Sequence, residues 1–162
     1  APDALRYSDS ELQPARDGYE LDVAAMHRVV EALRQLRMDD PDRFGDWFGG
    51  FITTYRSAVQ PAPADTPRPR IEMEWDLSQG ASLLRHPWSR MAWRRAHAKG
   101  AGARLYAGGS QYPMPVRDAK RLAAAERVNG ALYESLGREG RDAVFALFDA
   151  GHLHLQLDED QP

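Results

Sequence analysis

The chain has 162 residues, 43% hydrophobic and 28% charged, with a formal net charge of -3. This is the balance of an ordinary globular protein, with room for one medium domain or two small ones. It contains no cysteine, which excludes disulfides, thiolate zinc sites and cysteine nucleophiles. No apolar run nears the roughly 20 residues of a membrane span and no signal-peptide pattern opens the chain, so a cytoplasmic protein with no membrane partner is expected. The first residue is Ala1, which fits a trimmed initiator or a piece of a longer protein.

The charge is unevenly spread. Residues 1–67 hold 7 basic and 12 acidic groups, residues 68–127 hold 12 and 5, and residues 128–162 hold 2 and 7. A basic middle between acidic flanks suits a nucleic-acid surface, but it suits pairing with those flanks within the fold or across a dimer better.

Residues 1–20, with Pro2, Pro14 and Gly18 among polar groups, read as an extended lead-in. From Asp22 to Met38, the positions Met26, Val29, Val30, Leu33 and Leu36 make one helical face. Asp40 then supplies an N-cap and Pro41 a first helical turn. Phe44, Trp47, Phe48, Phe51, Ile52 and Tyr55 follow at the spacing of a single helix face, interrupted by Gly45, Gly49 and Gly50. Each glycine costs about 1 kcal/mol against alanine, whereas burying the stripe is worth on the order of 10 kcal/mol. The helix is therefore expected to need a cover over its rings, and those six residues are the candidate dimer or packing interface. Trp47→Ala or Phe48→Ala is expected to cost about 3 kcal/mol or more. Gly45 and Gly49, one turn apart, fit either intramolecular packing or a close contact between two copies.

The two helices make a helical segment over 21–58, followed by a proline-stiffened linker over 59–70. Beyond it, a short helix is predicted from Ile71 to Gln79, with Gly80 as its stop. Strands follow over Leu83–Arg85, Met91–His97 and Ala103–Ala107, and prolines 113 and 115 confine Ser110–Val116 to an edge strand or arm. Helices are predicted over Arg117–Glu126, around Val128, Leu132 and Leu136, and over Arg141–Ala150. A half-buried strand, His152–Leu157, closes the unit. This order is a compact α+β arrangement of winged-helix type over 71–157, with an acidic tail over 158–162.

Arg90, Arg94, Arg95, Lys99, Arg104, Lys120 and Arg121 form the candidate basic surface. Arg85 and His97 lie among them in sequence, as do Trp88, Trp93 and Tyr106, whose rings would stack on bases. Alternation divides these arginines between two strand faces, and the last helix offers only Arg141 against Asp142 and Asp149, a poor reader of the major groove. Nucleic acid is thus the less favoured partner. His152 and His154 share strand spacing but lack a third metal ligand, and no catalytic residue or metal site is assigned.

Several stretches together resemble the C-terminal region of bacterial JmjC-type ribosomal oxygenases, the cupin-like dioxygenases that hydroxylate an arginine of a large-subunit ribosomal protein. They are Arg6-Tyr7-Ser8-Asp9, Asp40-Pro41 through Phe44, Asp46-Trp47-Phe48-Gly49-Gly50-Phe51-Ile52, the proline linker and Asp149-Ala150-Gly151-His152. The resemblance implies that residues 21–58 belong to a dimerisation segment and 71–157 to a winged helix. The implied partners are a second copy, the JmjC catalytic domain of the same protein and the ribosomal protein substrate. Fe(II) and 2-oxoglutarate would belong to that catalytic domain. In the family a His-x-Asp or His-x-Glu pair begins the iron site, and no such pair occurs here, so neither a cupin barrel nor a cofactor is expected in this chain. The alternative is a free-standing winged-helix module that binds nucleic acid.

Overall fold

A computed structural model describes residues 27, 30–32, 34, 35, 40–54, 61–96 and 102–156. The chain divides into two units, Ala1–Asp39 and Asp40–Pro162. In the first, the six described residues are helical, as the pattern over 22–38 predicts. The rest of that helix, the lead-in, Tyr55, His97, Lys99 and the acidic tail lie outside the described residues.

The second unit opens with α1, Pro41–Thr53. Asp40 caps it as predicted: its Oδ1 accepts from the Asp42 and Arg43 amides at 2.9 and 3.0 Å, satisfying donors that the first turn cannot pair internally. The helix expected to complete the 21–58 segment thus groups with the unit that follows it. After the prolines comes α2, Arg70–Ser78, with Met73 and Leu77 one turn apart on its buried side. Gly80 adopts a positive φ of 101° and reverses the chain into the first strand.

Two three-stranded antiparallel sheets follow. One is ordered β5-β1-β6, from β5 (Arg127–Asn129), β1 (Ser82–Arg85) and β6 (Leu153–Gln156). The other is β2-β3-β4, from β2 (Met91–Arg95), β3 (Ala103–Ala107) and β4 (Ser110–Met114). Leu83 lies at the centre of the first sheet, opposite Val128 on one side and Leu155 on the other. In the second, Pro113 sits on the edge strand β4, where a missing amide breaks no inner ladder.

Three helices fill the remaining side: α3 (Val116–Ala124), α4 (Gly130–Glu134) and α5 (Arg138–Asp149). Leu105, Leu122, Val144, Leu147 and Leu153 join Met73, Leu77 and Leu83 in one core. Val128, expected in a helix, is instead in β5. Its branched side chain is buried opposite Leu83, and Asn129 starts a new helix by accepting from the Leu132 amide at 2.9 Å.

Several buried polar groups tie the elements together, although Arg85 Nε is buried without a hydrogen-bond partner. Asp118, fully buried, accepts from the Gly137 amide at 2.8 Å at the start of α5, where a negative charge is favoured. Arg85 directs Nη2 at the Leu122, Ala123 and Ala125 carbonyls, closing the C-terminal end of α3. Tyr133 donates to Glu74 at 2.5 Å, and Arg70 reaches Glu74 at 2.9 Å and Asp142 at 2.5 Å, joining α2 to α4 and α5. Burial, reinforced by the Glu74 carboxylate, pushes the Tyr133 phenol up to about 12. Among the described residues no helix is long and apolar enough to cross a membrane, and no barrel closes.

Candidate functional site

Helix α1 has two opposite faces with different chemistry. Asp42, Gly45, Asp46, Gly49 and Thr53 recur every three or four residues on one of them, and this face packs on the β2-β3-β4 sheet. At Gly49 the Tyr106 ring comes so near that an added Cβ would stand 2.6 Å from it, and at Gly45 the same atom would stand 2.6 Å from Nε of Arg94. Gly50 faces the Gly109 carbonyl in the turn between β3 and β4. Thr53, buried, donates to the Gly49 carbonyl at 2.8 Å and accepts from the Gly109 amide at 3.3 Å. The glycines that weaken the helix in isolation therefore let it approach the sheet, and the close contact here is intramolecular.

An ionic cluster sits beside them. Arg94 and Arg104 are directly opposed on β2 and β3, a like-charge pairing that is unfavourable by itself. Helix α1 supplies the counter-charge. Arg94 donates to Asp42 Oδ1 at 2.7 Å, to the Asp42 carbonyl at 2.9 Å and to Asp46 Oδ1 at 2.8 Å. Arg104 pairs with Asp46 Oδ2. Tyr106 donates to Asp46 Oδ1 at 2.6 Å and accepts from Nε of Arg94 at 2.9 Å. Burial works against the Arg94 charge, but the hydrogen bonds to Asp42 and Tyr106 prevail and hold its guanidinium above the usual value.

The other face carries the rings. Phe44, Trp47, Phe48, Phe51 and Ile52 stand between 38% and 49% exposed, with Ile52 the lowest and Trp47 the highest. Phe44 stacks on Phe48 at 5.9 Å between centroids and Trp47 on Phe51 at 5.4 Å, so the stripe is a continuous aromatic surface. Within the chain α1 is held to its unit by the glycine and aspartate side, and the ring face expected to need a cover is left half exposed.

The candidate basic surface does not converge. Arg94 and Arg104 are engaged by α1, and Arg121 on α3 donates to Ser135 Oγ at 2.7 Å. Arg90, Arg95 and Lys120 are exposed at separate places on β2, its approach and α3. Of the aromatic residues beside them, Tyr106 is buried and Trp93 packs against the core, leaving Trp88 as the exposed ring of that set. Aspartates 42 and 46, which hold α1 to the sheet, were overlooked by the charge count, although their four-residue spacing on the glycine face was visible.

His152 and His154, the pair at strand spacing, have different surroundings. His152 is buried with Nδ1 2.8 Å from Ser89 Oγ, and burial, with His86 nearby, lowers its pKa. His154 is exposed on β6. Among the described residues no three His, Asp or Glu side chains come together so as to hold a metal ion.

The family described as ROXA-like winged helix matches residues 35–154, a span that runs from before α1 through α5 and into β6. The chain belongs to this family. It is also similar to solved structures of a ribosomal oxygenase from Escherichia coli, YcfD. One is 24% identical, with a TM-score of 0.61, and the alignment covers 93% of this chain and 40% of that one. A second, in complex with cobalt and succinic acid, has the same identity and TM-score and is covered over 41% of its length. A third, in complex with cobalt and 2-oxoglutarate, is 25% identical with a TM-score of 0.58 and is covered over 40%. The chain spans about two fifths of the length of these structures. No curated protein sequence matches it. The resemblance to ribosomal oxygenases read from the sequence therefore stands for the winged-helix region.

Proposed function

We propose that this chain is the oligomerisation and substrate-positioning region of a cytoplasmic Fe(II)- and 2-oxoglutarate-dependent dioxygenase that hydroxylates an arginine of a large-subunit ribosomal protein. Iron and 2-oxoglutarate would be held by a JmjC catalytic domain of the same protein, since the described residues lack the ligand set. Cobalt and 2-oxoglutarate in a related ribosomal oxygenase support that assignment for the whole enzyme.

The observation that carries the reading is the ring face of α1. A continuous stripe of Phe44, Trp47, Phe48 and Ile52, turned away from the unit that anchors the helix, suits a self-complementary contact between two copies. Because Asp42 and Asp46 fix α1 to the sheet, pairing through the rings would fix each winged helix relative to its dimer mate. The chemistry would then be helped by geometry: a substrate presented at a set distance and angle reacts as if at high local concentration. The acidic blocks at 1–67 and 128–162 would attract a basic ribosomal protein.

The test uses the intact oxygenase with its ribosomal protein substrate, scored by mass spectrometry for one added oxygen on arginine. Replacing Phe44, Trp47 and Phe48 by serine is expected to lower kcat/KM at least tenfold and to dissociate the enzyme. Unchanged turnover by a dissociated enzyme would overturn the reading. The nucleic-acid alternative loses support because Arg94 and Arg104 are spent on α1. It predicts a steep fall of RNA or DNA affinity with salt, which the oxygenase reading does not require.

A further inference from the structure

His152 is buried where the two sheets meet, and its ring is held on both edges. It follows Gly151, which ends α5 at a positive φ of 78°, and leads into β6. Its amide donates to the Leu147 carbonyl at 2.8 Å, and its carbonyl accepts from the His86 amide at 3.0 Å. These bonds tie it to α5 and to the turn after β1. On that turn Ser89, also buried, places Oγ 2.8 Å from Nδ1 and 3.2 Å from the His152 carbonyl.

The opposite edge of the ring meets the β2-β3-β4 sheet. A Cβ at Gly108 would stand 2.3 Å from Nε2 and 2.6 Å from Cε1, so glycine is what leaves room for the imidazole there. Gly109, the next residue, is taken up from the other side by α1. Its amide donates to Thr53 Oγ1 at 3.3 Å, and a Cβ on it would stand 2.8 Å from Thr54 Oγ1. Both glycines hold a positive φ, 55° and 83°, which other residues adopt only at a cost. The β3–β4 turn is thus a two-residue spacer between His152 and the last turn of α1.

A neutral imidazole suits this place and a charged one does not. No carboxylate pairs with His152 among the described residues, and Ser89, the glycine turn and Thr53 bring no ionisable group. Toward the proline-rich segment, Arg68, His86, Asp149 and His154 line a cavity of about 290 Å³. The carbonyls ending α5 are already bonded, Ala146 to Ala150, Leu147 to His152 and Phe148 to Gly151, which blunts their pull on a cation. Burial opposes the His152 charge most, and His86, a second cation, opposes it further.

We propose that His152 is a pH-sensitive latch on α1: when the ring takes a proton it leaves Gly108 for water, the β3–β4 turn loses its backing, and the Thr53–Gly109 contact opens. The open form binds the proton better than the closed one, so acid raises its population without unfolding the unit. Asp42 and Asp46 hold the first half of α1 to Arg94, which confines the release to the C-terminal end of the helix. The latch does not depend on what the ring face meets.

The test is amide exchange of the full 162-residue chain, read as protection factors so that the intrinsic pH dependence of exchange cancels. Protection at Gly109 and Thr54 is expected to fall about threefold or more between about pH 7.5 and about pH 5, while Phe44, bonded to the Asp40 carbonyl at the other end of α1, keeps its own. The fall is expected to share its midpoint with the His152 ring resonances in an NMR titration. His152→Gln, which cannot take the proton, is expected to abolish the fall. His86→Gln, which removes the opposing cation, is expected to move the midpoint to higher pH. Should His152→Gln melt early, the match of midpoints in the parent chain and the shift in His86→Gln decide. Constant protection at Gly109 and Thr54, an equal loss at Phe44, or a midpoint unrelated to the His152 titration would overturn the proposal.

Discussion

The two faces of α1 are made from one 13-residue stretch, yet they are held by different physics. The inward face has almost no apolar side chain. It relies on the absence of side chains at Gly45 and Gly49 and on two carboxylates that neutralise opposed arginines. The outward face concentrates the rings and is half exposed. Burial of the largest hydrophobic groups is thus not what docks this helix to its own unit. That job goes to close backbone approach and charge, which leaves the rings available for a second purpose.

The contrast can be broken one face at a time. The largest effect is expected for Gly49→Val, whose side chain would collide with the Tyr106 ring, itself buried and tethered to Asp46 and Arg94. A loss of about 3 kcal/mol is expected from the denaturant midpoint of unfolding, in line with overpacked cores. Asp46→Ala removes the acceptor shared by Arg94, Arg104 and Tyr106 and leaves two arginines facing each other. A loss of about 2 kcal/mol is expected, less than for a fully buried pair because these side chains retain some solvent contact.

On the outward face, Trp47→Ala is expected to lower the stability of the unit by about 1 kcal/mol, against the 3 kcal/mol that the sequence suggested, since the ring is half exposed within the chain. Its main effect should be on self-association. The smallest effect concerns His152, away from both faces. Its folded pKa lies below the ordinary 6.5, so the unfolded chain takes the proton first. Stability is complete above about pH 6.5 and declines as the pH falls toward the folded value. His152→Gln should flatten that decline in melts taken across the range.

Much of the local structure was legible. Asp40-Pro41 marks the start of α1, and the run Ala103–Ala107 coincides with β3 to the residue, because turn glycines bound it on both sides. Strand β5 was not, since three residues are too few to show a period and Val128 sits between two helical patterns. The pairing of β1 with β5 and β6, and not with the adjacent β2, is set by contacts some 40 to 70 residues apart that no local pattern records. The same holds for the site. The ring stripe and the aspartate–glycine stripe can both be read at helical spacing, but which of them faces inward was decided by Arg94 and Arg104, about 50 residues downstream, whose opposition exists only once β2 and β3 pair.

Sedimentation equilibrium of the chain beside its Phe44→Ser, Trp47→Ser, Phe48→Ser triple variant tests the central claim most directly. A dimer for the parent chain and a monomer for the variant, with thermal unfolding of the Asp40–Pro162 unit shifted only slightly, is the predicted result. A monomeric parent at high micromolar concentration, or a variant that stays dimeric, would contradict it.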